Sequence, residues 1–171
     1  HNPFATDFLN GRRAPASNMR LWGSLMGLKL STDAGAIFRS LVEATSFASK
    51  VIMDGVESAG LKIDKVIATG GIAQKSPLAV QMVADVLNKE IEICSCKQSG
   101  ALGAAIFAAA AAGVYPDFRT AQRSMIHKNS KFYYPDTESH KFLLERFGLY
   151  RRAVDYTEKV QEEFFNFDEI D

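Results

Sequence analysis

Two places in this 171-residue chain combine residue types that could hold a phosphate group. The first is Lys65 to Leu87, KVIATGGIAQKSPLAVQMVADVL, where Gly70 and Gly71 stand between an apolar run and an amphipathic one. Val66 and Ile67 suit a buried strand. The paired glycines let the backbone bend sharply and approach a ligand with no Cβ in the way. Ser76 sits where a helix N-cap belongs and Pro77 at the first helical position. Beyond them Leu78, Met82, Ala84, Val86 and Leu87 form a stripe that would pack the helix back on the strand. Ligands of open α/β sheets bind outside the carboxyl ends of strands, and this turn is at such an end. It matches neither the GxGxxG of a dinucleotide fold nor the GxxxxGK[ST] of a P-loop, so the pattern alone leaves nucleotide binding and an ordinary tight turn both open. The second place is Arg12-Arg13, whose guanidiniums suit phosphate or carboxylate but equally suit a solvated surface.

Other chemistry-bearing residues are sparse. Cys94 and Cys96 lie two apart in a strand-like segment, pointing to one face. That spacing disfavours an unstrained disulfide, and there is no second pair for a zinc site. Reduced, partly buried thiols in a cytosolic, cytoplasmic protein are the expectation. His1, His127 and His140 have no ligand spacing, so no metal site is expected. Twenty basic residues balance twenty acidic ones, which argues against nucleic acid or an anionic membrane as partner. The longest apolar run, Ala104 to Gly113, falls well short of the roughly 20 residues of a bilayer span and reads as a tightly packed core helix. With 47% hydrophobic residues the chain is sized for a single domain over residues 1–171, and its start at His1 rather than Met suggests a longer polypeptide.

The elements that must position these residues follow from periodicity. The opening, HNPFATDFLNGRRAPASNMR, reads as an ordered loop carrying Phe4, Phe8 and Leu9. Leu21 to Leu30 reads as one extended strand, with Gly23 and Gly27 marking close backbone approach or a bulge. Ser31, Thr32 and Asp33 offer caps for a long helix to about Ala59. Its stripe runs through Ile37, Leu41, Ala44, Ala48, Val51 and Gly55, and Gly60 closes it. After the glycine turn and its helix comes a second short strand, Ile91 to Cys94, expected parallel to the first through a right-handed crossover. Ala101 to Ala112 follows as a helix ended by Gly113 and Pro116. Asp117 begins a shorter helix to about His127, and Lys131 to Pro135 is an extended connection. A final helix from Thr137 to roughly Glu163 carries Leu143, Phe147, Tyr150 and Val154, and the last residues, FFNFDEID, are expected to fray.

Four separated segments together carry a resemblance. They are DFLNGRRAP (Asp7 to Pro15), GSLMGLKLSTDAGAIFRSLVEATSF (Gly23 to Phe47), ATGGIAQKSPLAVQMVADVLNKEI (Ala68 to Ile91) and QSGALGAAIFAAAAAGVYPD (Gln98 to Asp117). In this order they resemble the C-terminal part of the FGGY family of carbohydrate kinases, over nearly the whole chain to about Tyr156. The resemblance implies an α/β fold of the actin-like, ribonuclease H-like ATPase type: a mostly parallel sheet flanked by helices, here lacking its first strands. Such a sheet would leave unpaired edges, open to pairing with a second copy as a homodimer.

By the same resemblance the cofactors are ATP and Mg²⁺, the metal held mainly through the ATP phosphates. Gly70 and Gly71 would form the turn beside the adenine and α-phosphate, with Ile72 and Ala73 on the same wall. Lys75 stands where several family members have a nucleotide-contacting Asn, and Ala36 where many have an acidic or imidazole residue. Asp85 reads as structural. The reaction implied is transfer of the ATP γ-phosphoryl group to a sugar hydroxyl. For the branch most resembled, that is the C5 hydroxyl of L-ribulose, the sugar being bound mainly by a preceding domain. Alternatives are another ketose or polyol, such as xylulose or glycerol, and a non-catalytic actin-like nucleotide-binding or assembly module. Such chemistry needs a carboxylate to accept the hydroxyl proton. The family's base lies upstream of the matched segment, so no catalytic residue is expected in this chain and the isolated chain is expected to be inactive.

Overall fold

A computed structural model of the chain describes residues 2–126 and 130–168. In chain order its elements are β1 Phe4–Thr6, β2 Ser24–Met26, α1 Ala34–Ser58, β3 Val66–Ala68, α2 Gly71–Lys75, α3 Pro77–Leu87, β4 Ile91–Ile93, α4 Ser99–Ala111, α5 Phe118–Met125, β5 Lys131–Tyr133 and α6 Thr137–Asp168. They fall into two compact units. The first comprises His1–Ile63, Met82–Asn88 and Pro135–Asp171, the second Asp64–Gln81 and Lys89–Tyr134.

In the first unit β1 and β2 form an antiparallel pair, Ala5 opposite Leu25, and β1 packs against both α1 and α6. Asp33 caps α1 by accepting from the Ala36 amide at 2.7 Å. The buried face of α1 is centred on Ser40, Ala44 and Phe47, displaced from the expected stripe, whose Ile37, Leu41 and Val51 are half-buried. Phe47 meets Phe147 and Tyr150 of α6 at ring-centroid separations of 5.7 and 5.4 Å. Along α6, Leu143, Phe147, Tyr150, Thr157 and Gln161 fall three, four or seven residues apart, on one face, and are all buried. Below the aromatic cluster the contacts turn polar. Thr6, Ser24 and Thr157 share hydroxyl hydrogen bonds of 3.0 Å, and the Gln161 amide pairs with both backbone groups of Trp22. Asp85, buried, accepts from the Asp136 amide at 2.8 Å just ahead of α6, as its structural reading requires.

The second unit is a three-stranded sheet, β3-β4-β5, with α2, α4 and α5. β3 and β4 are parallel, as expected, Val66 opposite Ile91, with α2 and α3 between them in the chain. β5 runs antiparallel to β4. On the sheet's surface Glu92 accepts from Lys65 and from the Ser130 hydroxyl. The Lys65 bond, then that of Ser130, holds its carboxyl below the usual range. Asp117 caps α5 at 2.7 Å from the Thr120 amide.

Several expectations need correction. The α/β class holds, but among the strands of the described residues only β3 and β4 pair in parallel, and the other two strand pairings are antiparallel. Leu21 to Leu30 is not one strand: only Ser24–Met26 pairs, because the chain leaves the ladder at Gly27, whose φ is +77°. The opening loop contains β1, and the expected connection at Lys131 contains β5. The alanine-rich α4 is not a core helix. Ile106 is its only buried side chain, since within its unit α5 covers one side, through a Phe107–Phe118 stack at 4.6 Å. Leu78, at 49% exposure, lies off the buried face formed by Met82, Ala84, Val86 and Leu87. The short α2 adds a helical turn that periodicity does not indicate. The final helix continues to Asp168 rather than fraying after Glu163, with Phe164 edge-on to Trp22 at 5.9 Å. His1, His127 and the last three residues of the expected frayed end lie outside the described residues.

One turn is fixed by backbone alone. Gly11 has φ +69°, and a Cβ there would stand 2.7 Å from the Met19 Cα. Gly11→Ala therefore combines a disfavoured conformation with a collision against backbone, and a loss of about 1–3 kcal/mol is expected in denaturant unfolding.

Candidate functional site

β3 delivers the chain to Gly70 in an extended conformation, and α2 begins at the next residue. The transition is made in one step at Gly70, whose φ of +90° and ψ of −178° are accessible only to glycine. The Gln74 amide then donates to the Gly70 carbonyl at 3.2 Å and the Ser76 amide to Ile72 at 2.9 Å, completing a single helical turn. Ser76 ends α2 and caps α3, its hydroxyl accepting from the Ala79 amide at 3.3 Å. The expected Ser76-Pro77 helix start is therefore present.

The turn is fastened to its neighbour strand. The Cys94 amide donates to the Ala68 carbonyl at 2.9 Å, and the Gln74 side-chain amide donates to the Cys94 carbonyl. The connections after β3 and β4 thus leave the carboxyl ends of the parallel pair side by side, one entering α2 and the other α4 at Ser99. Gln74 is a positioning residue that no local pattern marks, because its partner is 20 residues away.

Of the five candidate residues, all on this turn, Gly71, Ile72 and Lys75 are exposed, and Gly70 and Ala73 are half-buried. Nothing lies within 4 Å of a Cβ added at Gly70, Gly71, Gly100 or Gly103. Ile72 is 74% exposed, an apolar side chain beside an open glycine surface. From Val66 to Gln81 there is no acidic residue or histidine, and among the described residues no three His, Cys, Asp or Glu side chains gather as a metal site. This surface is suited to the flat face of an apolar ring and to close backbone approach; it carries no carboxylate or imidazole. Cys94 and Cys96 are both free thiols, half-buried.

The two arginines sit in different surroundings. Arg12 is bound to a carboxylate, that of Glu158, and its Nε donates to the Ala16 carbonyl at 2.7 Å. Arg13 is exposed. Nearby, the Tyr150 hydroxyl donates to Asp7 at 2.8 Å. Burial pushes the Asp7 carboxyl up, and the Tyr150 bond offsets only part of this; burial first, then the Asp7 charge, also raises the Tyr150 phenol. An acid whose folded pKa is raised contributes stability that is complete below its ordinary pKa and is lost as pH rises through the raised value. Asp7→Asn, whose amide oxygen still accepts from Tyr150, should therefore gain on the native protein as pH rises above about 4. A melting-temperature difference constant between about pH 3.5 and 7 would contradict this.

The C-terminal domain model of the FGGY family of carbohydrate kinases matches residues 1–112. A ribulokinase of Vibrio parahaemolyticus is 42% identical over 95% of this chain, and one of Shouchella clausii 35% identical over 89%. The chain spans 29% and 28% of those proteins. Among solved structures, a ligand-bound xylulose kinase of Lactobacillus acidophilus superposes with a TM-score of 0.80 at 24% identity, over 95% of this chain and 32% of that one. A Plasmodium falciparum glycerol kinase with ADP superposes at 0.70 and 21% identity, over 91% and 30%. At these identities the structures speak for the fold, which is that of FGGY sugar kinases, the actin-like ATPase fold. The match over residues 1–112 and its agreement with that fold make the chain a member of the FGGY family of carbohydrate kinases, carrying the family's C-terminal domain.

Proposed function

We propose that this chain is the nucleotide-binding domain of a kinase that converts ATP and L-ribulose to ADP and L-ribulose 5-phosphate. The observation that carries the reading is the 42% identity to a ribulokinase across 95% of the chain, which includes the whole glycine turn. In this reading the adenine lies against Gly70, Gly71, Ile72 and Ala73, where the two glycines leave open space, and Lys75 is the cation of the same turn. Bound Mg²⁺ would neutralise phosphate charge and would be held mainly through the phosphates of ATP. The sugar C5 oxygen attacks the γ-phosphorus, the bond to the β-γ bridging oxygen breaks, and the hydroxyl proton passes to a carboxylate outside this chain. This chain's contribution is to hold the nucleotide in line and, as the domains close, to exclude water. An ATP-dependent sugar kinase with reduced thiols belongs in the cytoplasm.

The test is ADP release by the full-length polypeptide offered L-ribulose, D-xylulose or glycerol. Turnover of L-ribulose in preference to the others is expected. Turnover of another substrate alone would move the assignment within the family, and ATP binding without any turnover would favour the non-catalytic module.

A further inference from the structure

The first unit contains a cavity of about 510 Å³, inside the range of about 300–1,000 Å³ typical of small-molecule sites. One wall is the loop from Asp7 to Ala16; the others are α1 at Ala48 to Ile52 and α6 at Tyr150 to Asp155. The loop wall is built in place. The Gly11 amide donates to Phe8 at 3.1 Å, Arg12 and Asn18 exchange backbone bonds of 2.9 and 2.8 Å, and the Arg12 guanidinium is anchored on Ala16 and Glu158. A pocket with a fixed wall costs a ligand little ordering entropy.

Its chemistry is two-sided. Val51, Ile52 and Val154 give it an apolar floor. Of the charged groups lining it, Arg12 is committed to Glu158 and Asp7 to Tyr150. That leaves the side chains of Arg13, Arg151 and Asp155 with no ion pair or hydrogen bond among the described residues, two cations against one anion. Guanidiniums are weakly hydrated forks matched to oxyanions, and beside an apolar floor they select a molecule with an anionic end and an apolar body.

We infer that this cavity is a binding site for a small organic oxyanion, its phosphate or carboxylate held by Arg13 and Arg151 and its apolar body against Val51, Ile52 and Val154. The site is independent of the nucleotide reading, because none of its residues belongs to the glycine turn.

Calorimetry on the full-length polypeptide with phenyl phosphate and with benzoate tests this, and the two arms tell phosphate from carboxylate. At least one should bind, more tightly than phenol or inorganic phosphate. Arg13→Ala combined with Arg151→Ala should weaken it by about tenfold or more, the scale of a lost charge-assisted bond. Ile52→Trp, at a position 43% exposed, should fill the floor and abolish binding with the melting temperature kept. Failure of both probes to bind, binding no tighter than that of the two controls, or binding unchanged in both variants would each overturn the proposal.

Discussion

Glu43→Ala is expected to lower stability by about 3–5 kcal/mol, because it strands a buried charge. Glu43 is 1% exposed on α1 and Arg146 is 7% exposed on α6. The Arg146 fork meets the Glu43 carboxylate at 2.7 and 2.6 Å, spends a further N–H on the Pro3 carbonyl at 3.0 Å, and lies 4.4 Å from the Phe4 ring centroid. Arg39 reaches the other carboxylate oxygen at 3.0 Å from a half-exposed position. The cluster joins α1 and α6 to the strand between them, so its net worth differs from the cost of breaking it. Removing the carboxylate alone leaves a desolvated guanidinium facing an apolar cluster. At about 2–4 °C per kcal/mol for a domain of this size, the melting temperature should fall by about 10 °C. Glu43→Leu together with Arg146→Met removes both charges and should recover most of the loss. A loss under about 1 kcal/mol for Glu43→Ala, or a double variant no better than the single one, would mean that the charges are solvated and the packing account is wrong.

What the sequence disclosed follows from the range of the interactions. The long helices α1 and α6 were legible because their apolar residues repeat within one element, and Asp33 and Asp117 were legible as caps because their partners lie three residues on. The parallel β3-β4 pair followed from the helix between its strands. β1 was hidden because three residues, Phe4–Thr6, exist as a strand only by pairing with Ser24–Met26. The exposure of α4 was hidden as well, because alanine composition tells how closely a helix can be approached, not whether anything approaches it. The glycine turn was visible as a turn, while the Gln74 tie and the cavity over the arginine loop were not, since each joins residues far apart in sequence. The polar half of α6, Thr157 and Gln161 against Ser24 and Trp22, carried no periodic apolar signal.

The two glycines of the turn should separate binding from folding. Gly71 is the first residue of α2, is exposed, lies outside the positive-φ glycines, and has nothing within 4 Å of an added Cβ. Gly71→Val should therefore leave the fold nearly unchanged while placing a branched side chain where the adenine would lie, and ATP affinity in the full-length polypeptide should fall by about tenfold or more, about 1.4 kcal/mol or above. Gly70 is the opposite case. Its Cβ direction is also open, but φ of +90° is the conformation that a β-branched residue adopts least readily. Gly70→Val should cost about 1–3 kcal/mol of stability and lose nucleotide binding through distortion of the turn. Calorimetry and thermal melting on both variants distinguish the cases. Unchanged ATP affinity in a folded Gly71→Val protein would remove the glycine turn from the nucleotide site. A melting temperature lowered equally in both would show that the space beside Gly71 is needed for folding and is not kept open for a ligand.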